Sequence, residues 1–351
     1  MNTTIRTQQP VGWYRRPSVW IGLVVSALSI VLLTFLVDLP GLVEQLQHAD
    51  LRFVLVGFVV ICGSAYLRAL RWQAIVGTKI PYWNIFHAEN IGYLINSILP
   101  LKAGEPARAY LLSRAKNNRE LPLVEALSTV VIARLTDAIS AVILLGLVLP
   151  ALDVPEIVKA TGYTLLAFSA VGVLILVIGA YARHWMIALL QVILNRLLPA
   201  PLTQRIVDLA DSFLAGLGVL RNIPRLIFLV VTTTVLWGVY VAFYTLILMA
   251  FWPMPPLAWG VLATCAASLS LSLPSSPAAI GVFHAAVVFV MTPYLTADTA
   301  AAYAIVLHAT ELVALLAFGA YSLAATGLSL WGVNAAANSL AVPDPAPRDF
   351  E

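Results

Sequence analysis

The run Leu99-Pro100-Leu101-Lys102-Ala103-Gly104-Glu105-Pro106-Ala107-Arg108 sets helix breakers directly beside charged residues. Pro100 and Gly104 interrupt a helix, and the interruption frees backbone amides and carbonyls. The helix that restarts there offers a positive amino terminus suited to an anionic group such as a phosphate. Lys102 and Arg108 add cationic charge, Asn96 precedes the break, and Glu105 and Arg108, three apart, share a helix face on which they can pair. A cytoplasmic basic loop with one helix cap has the same spacing, and the residues alone leave both readings open.

Other ionisable residues stand inside apolar stretches, where each costs at least a few kcal/mol, on the order of 3, to bury. Glu89, Tyr93 and Asn96 fall on one face of the segment before the break; Glu89 is either a coupling carboxylate or a group paired with His87 or an arginine. Arg134 and Asp137, three apart within one apolar helix, either neutralise each other or belong to a solute path. Further on, Pro274-Ser275-Ser276-Pro277-Ala278-Ala279-Ile280-Gly281 must interrupt any helix, with Pro274, Pro277 and Gly281 as its break residues. His284 follows, and His308 and Glu311 are again three apart. These two histidines, with Glu89 and Glu311, are candidates for ion or proton coupling. The histidines are too scattered for a metal site, and no glycine-rich phosphate loop follows a strand, so neither metal nor cofactor is expected.

The elements that carry these residues must lie in lipid. Of the 351 residues 61% are hydrophobic and only 11% charged, with a net charge of +3 and a mean hydropathy of +0.91. Composition of this kind excludes a soluble domain and gives no reason to expect a nucleic-acid partner. Runs of about 20 apolar residues, enough to cross a bilayer, are expected at 19–37, 51–76, 123–149, 161–181, 226–251 and 299–330. The first reads as a retained signal anchor, and Cys62 and Cys265 read as buried, unreactive thiols. Arg68, Arg71, Trp72 and Lys79 look like the cytoplasmic finish of the second helix. Because basic residues crowd after residue 100, segment 84–115 is expected to dip into the membrane and return as a hairpin. A second hairpin is expected at 258–291. Residues 184–222 read as amphipathic helices on the cytoplasmic surface, and 342–351 as a disordered tail.

The fold class is therefore all-α, a polytopic membrane bundle forming a single transmembrane domain with two re-entrant or broken hairpins. Helix, helix, hairpin, helix occurs once in 1–150 and again, starting from the other side, in 160–332, the pattern of an inverted repeat whose broken helices meet near the midplane.

The chain resembles the transmembrane domain of lysylphosphatidylglycerol synthases and their stand-alone, flippase-like relatives. The resemblance rests on Arg68 to Trp72, on Asn96, Leu99-Pro100, Gly104-Glu105 and Arg108, on Arg134 with Asp137, and on the 274–281 break followed by Val282-Phe283. Lys102 stands where the family often has Arg, Ala278 and Ala279 where it has glycines, His284 where it has Glu, and His308 where Arg is common. The resemblance implies translocation of an anionic phospholipid or lipid-linked sugar between leaflets, with no enzymatic activity, since no soluble aminoacyl transferase domain is seen in this sequence. Asn96, Lys102, Glu105, Arg108, Arg134 and Asp137 would bind the substrate. Intramembrane transfer on a polyprenyl-phosphate carrier, and a non-catalytic role beside an envelope-lipid enzyme, remain as alternatives. The expected setting is the inner (plasma) membrane with both termini cytoplasmic.

Overall fold

The computed structural model describes residues 17–77, 80–99, 102–115, 121–153, 156–271, 275–330 and 332–333. Among them the secondary structure is helical throughout, with thirteen α-helices and no strand. Pro100, Pro274, Lys79 and the 342–351 tail lie outside the described residues.

Helix α1 (Pro17–Leu36) turns by 89° into α2 (Leu39–His48), an element the sequence reading leaves as an irregular connection. Asp38 causes the corner: its carboxylate accepts from the Gly41 amide at 3.1 Å as an N-cap. Its own amide donates to Asp298 at 2.8 Å, which ties the corner to the far end of the chain.

Two similar sets of helices follow. The first is α3 (Leu51–Val76), α4 (Tyr82–Ile98), α5 (Gly104–Ser113) and α6 (Leu123–Val148). After α7 (Glu156–Tyr181), α8 (Arg183–Leu197) and α9 (Ala200–Gly216), the second is α10 (Ile223–Met249), α11 (Leu257–Ser270), α12 (Val282–Met291) and α13 (Ala297–Thr326). In each set a long helix leads into two short limbs joined at a break, and another long helix closes the set. Helices α3, α6, α10 and α13 are long and apolar enough to cross a membrane, and the bent pair α1 and α2 adds a fifth candidate.

Packing partners recur along with lengths. Helix α3 packs against α10; α4 packs on α5 and on α13 of the other set; α11 packs on α12 and on α6. The first limb of each hairpin is thereby sandwiched between its own second limb and the other set's closing helix. Three hydrophobic clusters result among the described residues, the smallest around Ile91, Ile95 and Ala107 where the first hairpin's limbs meet. Of the larger two, one surrounds Trp72 and Phe86, and the other surrounds Phe243, Phe283 and Tyr303. Cys265, on α11, is buried as expected and donates its thiol to the Ala141 carbonyl of α6 at 3.3 Å, whereas Cys62, also expected to be buried, is half-buried.

Helices α8 and α9 are joined by a two-point ion pair, Arg183 to Asp211, with both contacts at 2.7 Å. The hydrogen bonds from Arg183 hold the Asp211 carboxyl below the ordinary carboxylate range.

Candidate functional site

The two limbs of the first hairpin meet at glycine. A Cβ on Gly104 would lie 1.9 Å from the Gly92 carbonyl oxygen, so α4 and α5 touch backbone to backbone. Asn96 fixes the same joint: its Oδ1 accepts from the Gly104 amide at 2.8 Å, and its Nδ2 donates to Glu105 Oε1 at 3.3 Å. The start of α5 is thus capped from within. Asn96, expected to bind substrate, has both polar atoms engaged in holding the hairpin closed.

Glu105, at the first turn of α5, is the hub of the charged cluster. It takes Arg108 at 2.7 Å and accepts from Arg134 Nε at 2.9 Å. Arg108, which is 2% exposed, also donates to Glu89 at 3.1 Å. Of the partners considered for Glu89, an arginine is the one the fold supplies, because one turn of α4 faces one turn of α5 across the glycine contact.

Of the two readings of Arg134 and Asp137, mutual neutralisation or a place on a solute path, the fold gives the first only a weak contact. Their closest contact is 3.9 Å. Arg134 turns to Glu105, while Asp137 grips Arg71 of α3 through two contacts, one of them at 3.2 Å. Facing helices offer both groups better-aligned partners than their neighbour on α6 does.

Arg68 and Arg71, read from the sequence as a cytoplasmic finish, are 3% and 1% exposed. With Trp72 they form the inward face of α3 under the first hairpin. The positive-inside rule misplaces them because it counts basic residues near helix ends and carries no information on which face is packed. Their three-residue spacing, continuing the face of Ser64, is the signal that would have found them.

Tyr93 lies at the centre of this group. The guanidiniums of Arg68, Arg134 and Arg108 sit 4.4, 5.5 and 6.0 Å from its ring centroid, so its π face meets three cations.

The second hairpin turns through strained backbone. Ala278 and Ala279 have φ of 54° and 56°, and Gly281 has φ of 91°. Left-handed backbone costs a residue with a Cβ about 1–2 kcal/mol, so positions 278 and 279 are ones where glycine would be less strained than the alanines present. Lys102 in the first break is also left-handed, with φ of 52°. A Cβ on Gly281 would lie 2.5 Å from the Ser26 carbonyl, which places α1 tightly behind the break. Ser26 Oγ also accepts from the Ser276 amide at 2.9 Å.

Beyond this break, His284 and His308 face each other at 3.4 Å, and His308 stacks on Phe283 with ring centroids 4.6 Å apart. His308 therefore meets another imidazole and the backbone of Ala278 as polar neighbours, although Glu311 is one turn away on the same helix face.

A cavity of about 470 Å³ lies between the two hairpins. Lys102, Glu105, Arg134 and Asp137 contribute one wall; Ser276, Ala278, His308 and Glu311 contribute the other. Asn96 and Arg68 also reach it, whereas Arg108, Glu89 and His284 are not among its lining residues. Of the six residues expected to contact substrate, Arg108 is thus the one set behind the wall, where it supports Glu105.

Comparison with known proteins accords with this arrangement. A stretch of 144 residues is 26% identical to Glycosyltransferase AglD of Haloferax volcanii, covering 38% of this chain and 22% of that protein. A stretch of 130 residues is 22% identical to UPF0104 membrane protein PH1989 of Pyrococcus horikoshii, covering 36% of this chain and 38% of that protein. The chain therefore matches much less than two thirds of either relative's length. No solved structure matches. The model of the lysylphosphatidylglycerol synthase TM region matches residues 19–319, which includes both hairpins, the arginine cluster and the long helices around them. This multi-pass membrane protein belongs to the lysylphosphatidylglycerol synthase transmembrane-region family.

Proposed function

We propose that this protein moves an anionic phospholipid or lipid-linked sugar between leaflets by exposing the central cavity to each side in turn. The observation that carries the reading is the cavity itself, which both broken hairpins line and where Arg68, Lys102 and Arg134 supply cationic charge. A phosphate entering a membrane needs such partners, since an unpaired charge there is costly.

In this reading the two helix sets form an inverted repeat, and rocking one hairpin against the other opens opposite sides. The protein sits in the plasma membrane with both termini cytoplasmic. Helices α8 and α9 rest on the inner surface. Lys102 and Arg134 receive the phosphate, and Glu105 and Asp137 hold the arginines in place. His308 and Glu311 are the candidates for exchanging protons with the cavity.

The test is reconstitution into vesicles with a fluorescently labelled anionic phospholipid and a quencher that reads the outer leaflet. Wild type should equilibrate the label faster than empty vesicles, and Lys102→Gln/Arg134→Gln should slow it by about tenfold, the worth of one charge-assisted contact. Equal rates for wild type, variant and empty vesicles would sink translocation. The relative named a glycosyltransferase motivates a second reading, intramembrane transfer on a polyprenyl-phosphate sugar. Turnover of such a sugar by the purified protein, without movement between leaflets, would favour it.

A further inference from the structure

Most of the charges in the site neutralise one another; among the described residues Arg68 and Glu311 do not, and neither does Lys102, which is exposed where they are enclosed. Arg71 is taken by Asp137, Arg108 by Glu89 and Glu105, and Arg134 by Glu105. Arg68 is 3% exposed and lines the cavity, yet among the described residues no carboxylate oxygen lies within 4 Å of it. Its neighbours are the Ser64 hydroxyl at 3.3 Å, the Tyr240 hydroxyl and the face of Tyr93, none of which carries a formal negative charge. Its Nε has no hydrogen-bond partner.

Glu311, from the second helix set, lines the same cavity, and among the described residues no basic nitrogen lies within 4 Å of its carboxylate. Arg68 and Glu311 attract each other across the cavity without forming an ion pair, and opposite charges held apart in an enclosed site compensate each other only in part, which is destabilising. A ligand that meets both removes the penalty.

We propose that Arg68 is the enclosed anchor that completes the phosphate site to which Lys102 and Arg134 contribute, and that Glu311 receives the hydrogen-bond donors a head group carries beyond its phosphate. The assignment rests on the reading of the cavity as a lipid site, and it narrows the ligand to a lipid phosphodiester with hydroxyl or ammonium groups on its polar end. A guanidinium suits this task, since its planar donors match two phosphate oxygens. The hydroxyls of Ser275 and Ser276 on the Glu311 side extend the same preference for a donor-rich head group.

Calorimetric titration of the full chain in detergent, with short-chain lipids sharing one acyl composition, tests both halves. Phosphatidylmethanol offers a phosphodiester without donors, phosphatidylglycerol adds hydroxyls, and phosphatidylethanolamine adds an ammonium. Wild type should bind one of the latter two about tenfold more tightly than phosphatidylmethanol, and which of them wins separates hydroxyl from ammonium recognition. Arg68→Gln should weaken all three by about tenfold or more while the lipid-free protein unfolds at an equal or higher temperature, because a charge compensated only in part has been removed. Glu311→Gln should erase the difference between lipids and leave phosphatidylmethanol binding unchanged.

Unaltered binding by Arg68→Gln, or a head-group preference that survives in Glu311→Gln, overturns the assignment. Arg68→Lys guards against misfolding: keeping the charge, it should retain most of the affinity. Loss of binding in both Arg68 variants together with a lowered unfolding temperature would assign Arg68 to packing and also overturn it. Since this titration reads no leaflet movement, a failure of translocation and a failure of the anchor are separately visible.

Discussion

Replacing Asp137 with alanine is expected to destabilise the protein by about 3–5 kcal/mol, the cost of leaving one member of a buried ion pair without its partner. The stranded group is Arg71, whose side chain is 2% exposed and whose charge Asp137 meets through two contacts. Relief does not come from Glu89 or Glu105, whose carboxylates are already committed to Arg108 and Arg134. Unfolding by SDS titration in mixed micelles reads the loss. Adding Arg71→Met to Asp137→Ala should recover most of it, because an apolar replacement of a whole buried pair is often neutral or stabilising. Wild-type stability of Asp137→Ala would show that Asp137 is free for a ligand, and the assignment of this carboxylate to the scaffold would fail.

Gly104→Ala should be nearly as severe, about 3 kcal/mol at the upper end of overpacking costs. The added methyl would meet the Gly92 carbonyl at 1.9 Å and Asn96 Oδ1 at 2.7 Å. The first obstacle is backbone and the second a side-chain amide already held by two hydrogen bonds, so α4 and α5 must separate. Separation would draw Glu105 away from Arg134 and open the cavity wall, so movement of lipid should fall together with stability. The same substitution at Gly63, where nothing lies within 4 Å, is the control. There alanine should stabilise α3 by about 0.5–1 kcal/mol through reduced backbone entropy. Equal behaviour of the two variants under SDS titration would remove the glycine contact from the account.

The helices and their breaks were legible in the sequence because apolar run length and proline or glycine punctuation are local signals. Both hairpins fall where the 99–108 and 274–281 interruptions predict them, and the pairing of Glu105 with Arg108 follows from three-residue spacing. What the sequence withheld depends on contacts between distant segments. Asp137 is next to Arg134 by spacing and bonded to Arg71 by packing, sixty-six residues away. Arg68 and Arg71 look like interface residues until α4 and α5 are laid over them. The corner between α1 and α2 depends on Asp298, which no local pattern at Asp38 reveals. At Ala278 and Ala279 the residue types conceal a left-handed turn that glycine would have announced.

The central claim is that lipid passes through the cavity between the hairpins, and blocking that space without altering a charge tests it most directly. Ala138 on α6 lines the cavity, whereas Leu147 on the same helix is 72% exposed on the outer surface. Tryptophan at either position adds comparable bulk, but only at 138 does the indole occupy part of the roughly 470 Å³ void. In vesicles carrying the labelled anionic phospholipid, Ala138→Trp should reduce the rate of leaflet exchange towards that of empty vesicles, with Leu147→Trp matching wild type. Exchange at the wild-type rate in a folded Ala138→Trp protein would place the lipid path elsewhere and contradict the account.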